Sequence, residues 1–315
     1  MPQFNWKRAN APVIPTAPGT WKETYTANPD LIELGNEYLM YYRGTGNGHD
    51  RIGVMRIAKS KFDGFTWEDY PDNPILDVGA PGSFDDINLL DPSAAVVPQA
   101  SGEQRVYLYY SAVAGSSESI GLAISKDGIH FEKYNQNPVL KGRCPEVVYR
   151  DGQFYLFYVK ENERGGYNIH AAMSTDGIHF TPTGGAPVLT VGAQGSWESQ
   201  TVTTPRLFFD RGLYYMVYAG DDRSKDDPHQ FGLATSMDLI HWQKYGGNPI
   251  FSTADRKHWD NCSIWYGTAA PIDGGYIMWY EACDEYRGEP RFVSAVGAAV
   301  LEAPYFFVKP PLAKD

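Results

Sequence analysis

The sequence lacks the features of several large protein classes. It has three cysteines, an odd number without metal-ligand spacing, so we expect buried free thiols rather than a disulfide framework or a zinc site. No run approaches the ~18 apolar residues that span a bilayer. The first residues have neither the basic start nor the apolar core of a signal peptide. We therefore expect a cytoplasmic protein without a membrane partner, or a secreted or periplasmic one if a leader has been removed.

Positive charge is also scarce. The 315 residues include 27 Lys and Arg against 38 Asp and Glu, a formal net charge of −11. Such a surface repels polyphosphate chains, so nucleic acid is not an expected partner. Aromatic residues make up 14% of the chain, and glycine occurs 32 times. This combination is typical of many short strands joined by tight turns.

One pattern of a proline, an apolar run, a turn and an aromatic strand recurs five times. Its prolines are Pro29, Pro92, Pro145, Pro205 and Pro271. Spacings of roughly 50 to 70 residues indicate one repeated unit that fills nearly the whole chain. We therefore treat residues 1–315 as a single domain.

A second phrase, rich in Asp, Ile and His, closes the later part of the units at residues 125–131, 174–180 and 236–242. Its Asp-Gly steps indicate hairpin turns. Four antiparallel strands per unit, repeated radially, predict an all-β, five-bladed β-propeller. The fifth unit lacks its fourth strand, and residues 4–7 match that strand in the other units. The N-terminal strand is thus predicted to close the last blade.

The segments before the first strand of each unit open on one face of such a ring. They repeat an aromatic residue followed by an acid, as in Trp21 to Glu23, Phe84-Asp85, Trp197-Glu198 and Trp259-Asp260, whereas the third unit has Gly142-Arg143. Long polar loops between the second and third strands open on the same face. We expect the functional site at the central mouth of this face.

Asp91-Pro92 and the aromatic strand that follows resemble the Asp-Pro strand of the five-bladed propeller glycosidases of families 43, 32 and 130. The family 43 pattern implies a base Asp before the first proline, a pKa-tuning Asp before the second and an acid Glu near the third. Asp91 matches the second position. Asn28 stands at the first, with Asp30 two residues on. The nearest acid at the third is Glu146, with Glu198 as the other candidate.

Cleavage of a glycosidic bond needs a protonated acid and a carboxylate that activates water or attacks the anomeric carbon. We assign Asp30 as base or nucleophile, Asp91 as the orienting and pKa-tuning group, and Glu146 as the acid. The alternatives are structural: a turn cap for Asp30, an anchor of the Asp-Pro bend for Asp91, and an ion pair with an arginine for Glu146.

The Asn-Pro of the first unit, the Tyr42-Arg43 step and Asp91 also resemble family 130, which cleaves or phosphorolyses mannosides. That resemblance implies Asp91 as the proton donor and basic residues that hold phosphate, with Arg43, Arg143 and His229 as candidates. The arginine that family 130 usually shows after Asp-Pro is Ser93 here.

Aromatic side chains near these acids are suited to stacking on sugar rings. His170 replaces a glycine of the aligned third strands and is expected to reach the axis, unless it is a core histidine. The candidate substrate-binding residues are Trp21, Arg43, Arg143, His170, Trp197, His229, Asp260 and Trp265.

Three functions remain open from the sequence. The first is an exo-acting glycosidase on an oligosaccharide or glycoside, and the second is a family 130-like mannoside phosphorylase or mannosidase. The third is a carbohydrate-binding propeller without catalysis. No cofactor is required by these residues, although the resemblance allows a structural Ca²⁺ in the axial channel. The oligomeric state is not indicated.

Overall fold

The computed structural model describes residues 4–284 and 293–302. Over these residues the regular secondary structure is β-strand apart from a short 3-10 helix at Lys59–Lys61, which confirms the predicted all-β class. The first ten strands are β1 (Lys7–Arg8), β2 (Tyr25–Leu34), β3 (Glu37–Gly46), β4 (His49–Ala58), β5 (Glu68–Asp69), β6 (Asn88–Pro98), β7 (Gln104–Ala114), β8 (Ser117–Ser125), β9 (Phe131–Lys133) and β10 (Leu140–Lys141).

The second half of the chain continues in the same way, with long strands followed by short ones. Its strands are β11 (Arg143–Arg150), β12 (Gln153–Glu161), β13 (Tyr167–Ser174), β14 (Thr181–Pro182), β15 (Thr201–Asp210), β16 (Leu213–Asp221), β17 (Gln230–Ser236), β18 (Gln243–Lys244), β19 (Phe251–Ser252), β20 (Ile264–Ile272), β21 (Gly275–Asp284) and β22 (Val293–Glu302).

These strands pair into four sheets built from antiparallel meanders. One contains β6, β7 and β8, with both β9 and β10 on β8. A second runs β11-β12-β13-β14, and a third runs β15-β16-β17-β18 with β19 on β17. The fourth has the order β20-β21-β22-β2-β3-β4-β5, with β1 on β22. Its two halves meet through one parallel pair, Tyr25 with Ser294.

The N-terminal segment pairs with the last long strand, as predicted. Lys7 faces Val300 and Arg8 faces Ala299 in an antiparallel register. The buried Trp6 donates its indole N–H to the carbonyl oxygen of Ile250 at 3.2 Å. The two ends of the described chain are therefore joined by backbone pairing and by a core side chain.

A bulge interrupts the first long strand of every unit. At each bulge one residue other than glycine has φ between 45° and 56°, and these residues are Asn28, Asp91, Cys144, Thr204 and Tyr266. The register of each strand shifts at the same point. Left-handed backbone is unfavourable for such residues, so its recurrence marks a feature that the surrounding structure enforces.

The bulge in β20 shows that Pro271 was the wrong equivalent of the repeated proline in the fifth unit. The proline that follows the bulge residue in four units is replaced by Gly267 in the fifth. The predicted equivalent, Pro271, pairs with Tyr276 near the end of β20 instead. A Cβ on Gly267 would lie 2.7 Å from Val217 Cγ1, so the close packing of β20 on β16 explains the glycine.

Neighbouring sheets pack face to face in chain order. Strand β2 contacts β6, β6 contacts β11, β11 contacts β15, β15 contacts β20, and β20 contacts β2. Aromatic side chains also bond to the turn of the next unit: Tyr41 O–H donates to the Gly128 carbonyl at 2.8 Å, and Tyr109 O–H to that of Gly177 at 2.6 Å. The first long strands therefore converge on a common centre.

Two further expectations concern the cysteines and the membrane. Cys144 and Cys283 are buried free thiols, as predicted, whereas Cys262 is partly exposed. Among the described residues, no helix has the length and apolar character needed to cross a bilayer.

Candidate functional site

The aromatic-acid segments form a repeated hydrogen-bonded unit, which we call the clasp. In the second unit, Asp85 accepts from Tyr110 O–H at 3.2 Å and from Lys133 Nζ at 2.6 Å. In the fourth, Glu198 accepts from Tyr218 O–H at 2.8 Å and from Lys244 Nζ at 2.6 Å. The basic partner comes from the short outer strand in both cases, so the clasp ties the inner and outer edges of one sheet.

The fifth and first units contain variants of the clasp. Asp260 accepts from Tyr280 O–H at 2.7 Å and from the Arg8 guanidinium, which lies on β1. In the first unit the charges are reversed: Lys22 donates to Asp69 at 2.7 Å. The clasp tryptophans pack on the same tyrosines, Trp21 on Tyr42, Trp197 on Tyr218 and Trp259 on Tyr280. Glu198, Asp260, Trp21 and Trp197 thus belong to the clasps.

Two residues beyond each bulge lies a second ring of side chains, the axial cluster, made of Asp30, Ser93, Glu146, Arg206 and Thr268. The buried Arg206 donates to Glu146 Oε2 at 2.9 Å. It also donates to the carbonyl oxygens of Pro29 at 3.0 Å, Pro92 at 2.8 Å and Pro145 at 3.2 Å. One guanidinium therefore links the first three units.

The acids of this cluster are held by several donors. Asp30 accepts from the Ala94 N–H at 2.8 Å, and Glu146 accepts from the Leu207 N–H at 2.7 Å and from Ser93 O–H at 3.0 Å. Burial raises the pKa of Asp30, partly opposed by Arg206. Burial also raises the pKa of Glu146 to about 7, against the pull of Arg206 and with the help of Asp30. Two carboxyls share one cation, so one of them retains its proton more readily.

The contacts of Arg206 also decide whether the axial cluster could hold a calcium ion. Calcium takes six to eight oxygen ligands, often carbonyls and carboxylates. Here the carbonyl oxygens of Pro29, Pro92 and Pro145 and the carboxylate of Glu146 already accept from Arg206. The cluster therefore fits a guanidinium rather than a Ca²⁺ ion.

A central cavity of about 210 Å³ lies where the five bulges meet, and all five bulge residues line it. Its other polar walls come from Arg43, Arg143, Asp226 and Glu281, and Trp265 adds an indole. Of the predicted catalytic residues, only Asp91 lines this cavity. Asp30 and Glu146 lie in the axial cluster and Glu198 in a clasp.

Asp91 is 3% exposed, and its Oδ2 atom has no hydrogen-bond partner in the part of the chain that the structure describes. The Nε atoms of Arg43 and Arg143 are buried and unpartnered in the same sense. A buried polar atom without a partner is costly. Three of the six such atoms among the described residues lie around this one small cavity, and this clustering indicates a polar ligand.

Glu281 is the second buried carboxylate of the cavity wall. It accepts from Asn28 Nδ2 at 2.8 Å, from Arg43 at 3.3 Å and from Ser294 O–H at 2.8 Å. Burial raises the pKa of Glu281, and Arg43 partly offsets this. Glu281 was not among the site residues predicted from the sequence. Its signal was its position directly after the aromatic pair of the second strand, which Arg43 occupies in the first unit.

Arg143 and Cys144 form the third side of the cavity. Arg143 donates to Tyr167 Oη at 3.1 Å and lies 3.5 Å from both Glu118 and Asp226. Burial raises the pKa of the Cys144 thiol to about 12, so this side chain is a neutral wall rather than a nucleophile. Trp265 donates its indole N–H to the Asp226 carbonyl at 2.7 Å.

The two histidine candidates lie away from the cavity lining. His170 packs on Tyr158, with ring centroids 5.9 Å apart, and burial lowers its pKa. His229 Nδ1 lies 2.5 Å from Asp221 Oδ2. The cavity thus brings together four of the predicted residues, Arg43, Asp91, Arg143 and Trp265, and adds Glu281, Asp226 and Tyr266.

The chain is similar to known proteins in sequence over part or most of its length, and in fold. No protein-family model matches the chain. An uncharacterised protein of Mycobacterium tuberculosis is 27% identical over 318 residues, which cover 94% of this chain and 99% of that protein. A 1,2-β-oligomannan phosphorylase of Thermoanaerobacter is 34% identical over 108 residues, 32% of this chain and 35% of that enzyme.

Solved structures show the fold. A thermostable family 43 glycoside hydrolase superposes with a TM-score of 0.66 at 18% identity, covering 96% of this chain and 100% of that one. A second structure comes from the family 130 mannoside phosphorylases, a family that contains glycoside hydrolases that target β-1,2 mannosidic linkages in Candida mannan. It superposes with a TM-score of 0.67 at 17% identity and covers 98% of this chain and 97% of that one. The chain has the fold of the propeller glycosidases. The resemblance found in the sequence is confirmed at this level.

Proposed function

We propose that the protein is an exo-acting glycoside hydrolase whose substrate binds in the central cavity. The observation that carries the proposal is the Asp91 carboxylate, which lies in the cavity wall with one buried oxygen unpartnered by the described residues. An acid that must donate a proton to a leaving oxygen needs such a free position facing the substrate.

Cavity size supports action at a chain end. The volume of about 210 Å³ is below the ~300 Å³ at which pockets for drug-sized ligands begin, and it suits one sugar residue. The indole of Trp265 supplies an apolar surface for a sugar ring, while Arg43 and Arg143 supply donors for its hydroxyls.

In this proposal Asp91 donates its proton to the glycosidic oxygen as the bond to the anomeric carbon breaks. A water molecule that gives its proton to Glu281, the second carboxylate of the cavity, attacks that carbon. Glu281 holds Asn28 and Arg43 in place and faces the same space as Asp91. Direct catalytic roles for Asp30, Glu146 and Glu198 stay predictions. Their contacts support positioning roles, since Asp30 and Glu146 surround Arg206 beneath the bulges and Glu198 completes a clasp.

We also propose a closed ring of five blades in one domain. On this view the eight-stranded sheet is two blades, one of β2 to β5 and one of β20 to β22 with β1. The cyclic contacts of the five first strands and the five equivalent bulges support this arrangement.

Phosphorolysis is the second candidate, and it is favoured by the two arginines of the cavity. The unpartnered Nε atoms of Arg43 and Arg143 are donors suited to an oxyanion. Their ion pairs with Glu281, Glu118 and Asp226 lessen the positive charge available to phosphate and favour hydrolysis.

A panel of aryl furanosides, mannosides, other pyranosides and short oligosaccharides, assayed with and without phosphate, tests this function. Release without phosphate supports the hydrolase, while release only with phosphate assigns the phosphorylase. No turnover across the panel, together with binding of a sugar, would establish the binding protein instead. Because Arg206 fills the axial cluster, we expect the same rates after chelation of divalent metals with EDTA.

A further inference from the structure

The third unit differs from the other four at the edge of the central cavity. Only Gly142 separates β10 from β11, so the third unit lacks the segment that carries the clasp aromatic in the other units, and no acid of the described residues takes the place of Asp85 or Glu198 beside Tyr158. In the other units the equivalent tyrosine faces a glycine on the next strand, whereas Tyr158 faces His170. Loss of the clasp leaves space beside this tyrosine.

A groove of about 510 Å³ occupies this space and runs between the β7–β8 turn and strands β11 to β13. Gly142 and Tyr158 line it, and Tyr158 and Tyr167 are buried in its floor. The groove has more than twice the volume of the central cavity.

The groove is cationic in a protein whose net charge is −11. Four basic residues, Lys141, Arg143, Lys160 and Lys225, line it against two acids, Glu118 and Glu161. One more acid, Asp226, lies 3.5 Å from Arg143 on the cavity side. Even with Asp226 included, the basic residues exceed the acids by one.

Contacts with the floor position the lysines. Lys160 Nζ lies 5.2 Å from the ring centroid of Tyr158, and Lys225 Nζ lies 4.7 Å from that of Tyr167. Lys225 also pairs with Glu161. Cation–π contacts restrain a lysine without neutralising it, so the ammonium of Lys160 keeps its charge available to a ligand.

Arg143 joins the groove to the central cavity, because it lines both. We propose that the groove binds the leaving-group part of the substrate and selects one that carries an anionic group, a carboxylate or a phosphate on a sugar. The inference rests on the proposed function, in which the cavity holds the terminal sugar. The acidic surface elsewhere disfavours long polyanions, so we infer a short acidic glycoside.

The test compares 2-nitrophenyl and 5-carboxy-2-nitrophenyl glycosides of the sugar that the panel identifies. The wild type is expected to prefer the carboxylated leaving group in kcat/KM. The double variant Lys141→Gln/Lys160→Gln should lower this preference roughly tenfold, about threefold for each lysine, at unchanged turnover of the neutral glycoside. Lys61→Gln/Lys126→Gln, which removes the same two charges from exposed positions outside the groove, is the control and should keep the preference.

A second measurement separates the groove from the proposed function. Methyl β-D-glucuronoside, methyl β-D-glucoside and glucose 6-phosphate are titrated into the wild type and the double variant by NMR. Tighter binding of either anionic sugar than of the neutral one, lost in the double variant, supports the groove even without turnover, and the two anions distinguish carboxylate from phosphate. Equal binding of all three sugars, or a preference that the double variant keeps, would overturn the inference.

Discussion

The guanidinium of Arg206 and the carboxylate of Glu146 form an ion pair of 2.9 Å between side chains that are 1% and 5% exposed. Arg206 also holds three carbonyl oxygens of the preceding units. Its loss would leave these oxygens without their donor, Glu146 without its ion pair and Asp30 without the cation that partly offsets its burial. The Arg206 guanidinium thus links the first long strand of its own unit to those of the three preceding units.

Arg206→Met is therefore expected to destabilise the protein by about 3–5 kcal/mol, because removing one partner leaves an uncompensated buried charge. Urea denaturation followed by tryptophan fluorescence measures this change. Arg223→Ala, at an exposed ion pair with Asp222, is the control and should cost less than about 1 kcal/mol. Similar midpoints for both variants would contradict the central role of Arg206.

The pH dependence of stability follows from Glu146. Its folded pKa of about 7 lies above the ordinary value of 4.5, so the folded state binds the proton more readily than the unfolded state. The stabilising effect of this proton is present below about pH 4.5 and is lost as the pH rises to about 7. We expect the Tm of the wild type to fall more between pH 5 and pH 8 than that of Glu146→Gln. Parallel curves would contradict the raised pKa.

Asp91→Asn is expected to lower kcat by at least about 10²-fold with the fold intact, because the amide keeps the shape but cannot donate the acid proton. Turnover of the best panel substrate and the Tm measure the two effects. Asp222→Asn, at an exposed ion pair with Arg223 outside the cavity lining, serves as the charge-matched control. Full activity of Asp91→Asn would remove Asp91 from the mechanism.

Glu198→Gln and Asp85→Asn change equivalent clasps in two units. If Glu198 acts only through its clasp, both variants should lose a similar stability, about 1–3 kcal/mol, and keep kcat. Thermal melts and steady-state kinetics check this. A loss of turnover confined to Glu198→Gln would assign this acid to catalysis, as the sequence predicted.

Removal of residues 1–10 is expected to lower the Tm of the whole molecule in a single transition. The deletion removes β1 from β22, the buried Trp6 and the Arg8 partner of Asp260. Lys7→Ala, at an exposed ion pair with Glu302, should have little effect. A deletion variant that melts like the wild type would show that β1 is dispensable.

The repeated pattern predicted the strands, the pairing of β1 with β22 and the place of Asp91. These depend on local turn chemistry and on spacing, which a sequence records directly. Positions two residues apart on one strand were harder to separate. The bulge in β2 places Asn28 and Asp30 in different layers, so Asn28 lines the cavity, as Asp91 does on β6, while Asp30 accepts from the Ala94 N–H. Glu281 was missed because its neighbours, Asn28 and Arg43, come from the other end of the chain.

The hydrogen bonds between units also run from the last unit back to the first. Trp279 of β21 donates its indole N–H to the carbonyl of Gly64, which follows β4, just as Tyr41 donates to Gly128 in the next unit. The first, second and fifth units thus each donate an aromatic side chain to the unit that follows. A gene fragment that lacks the first unit would leave the indole N–H of Trp279 without this acceptor, so removal of that repeat would destabilise the fifth unit as well.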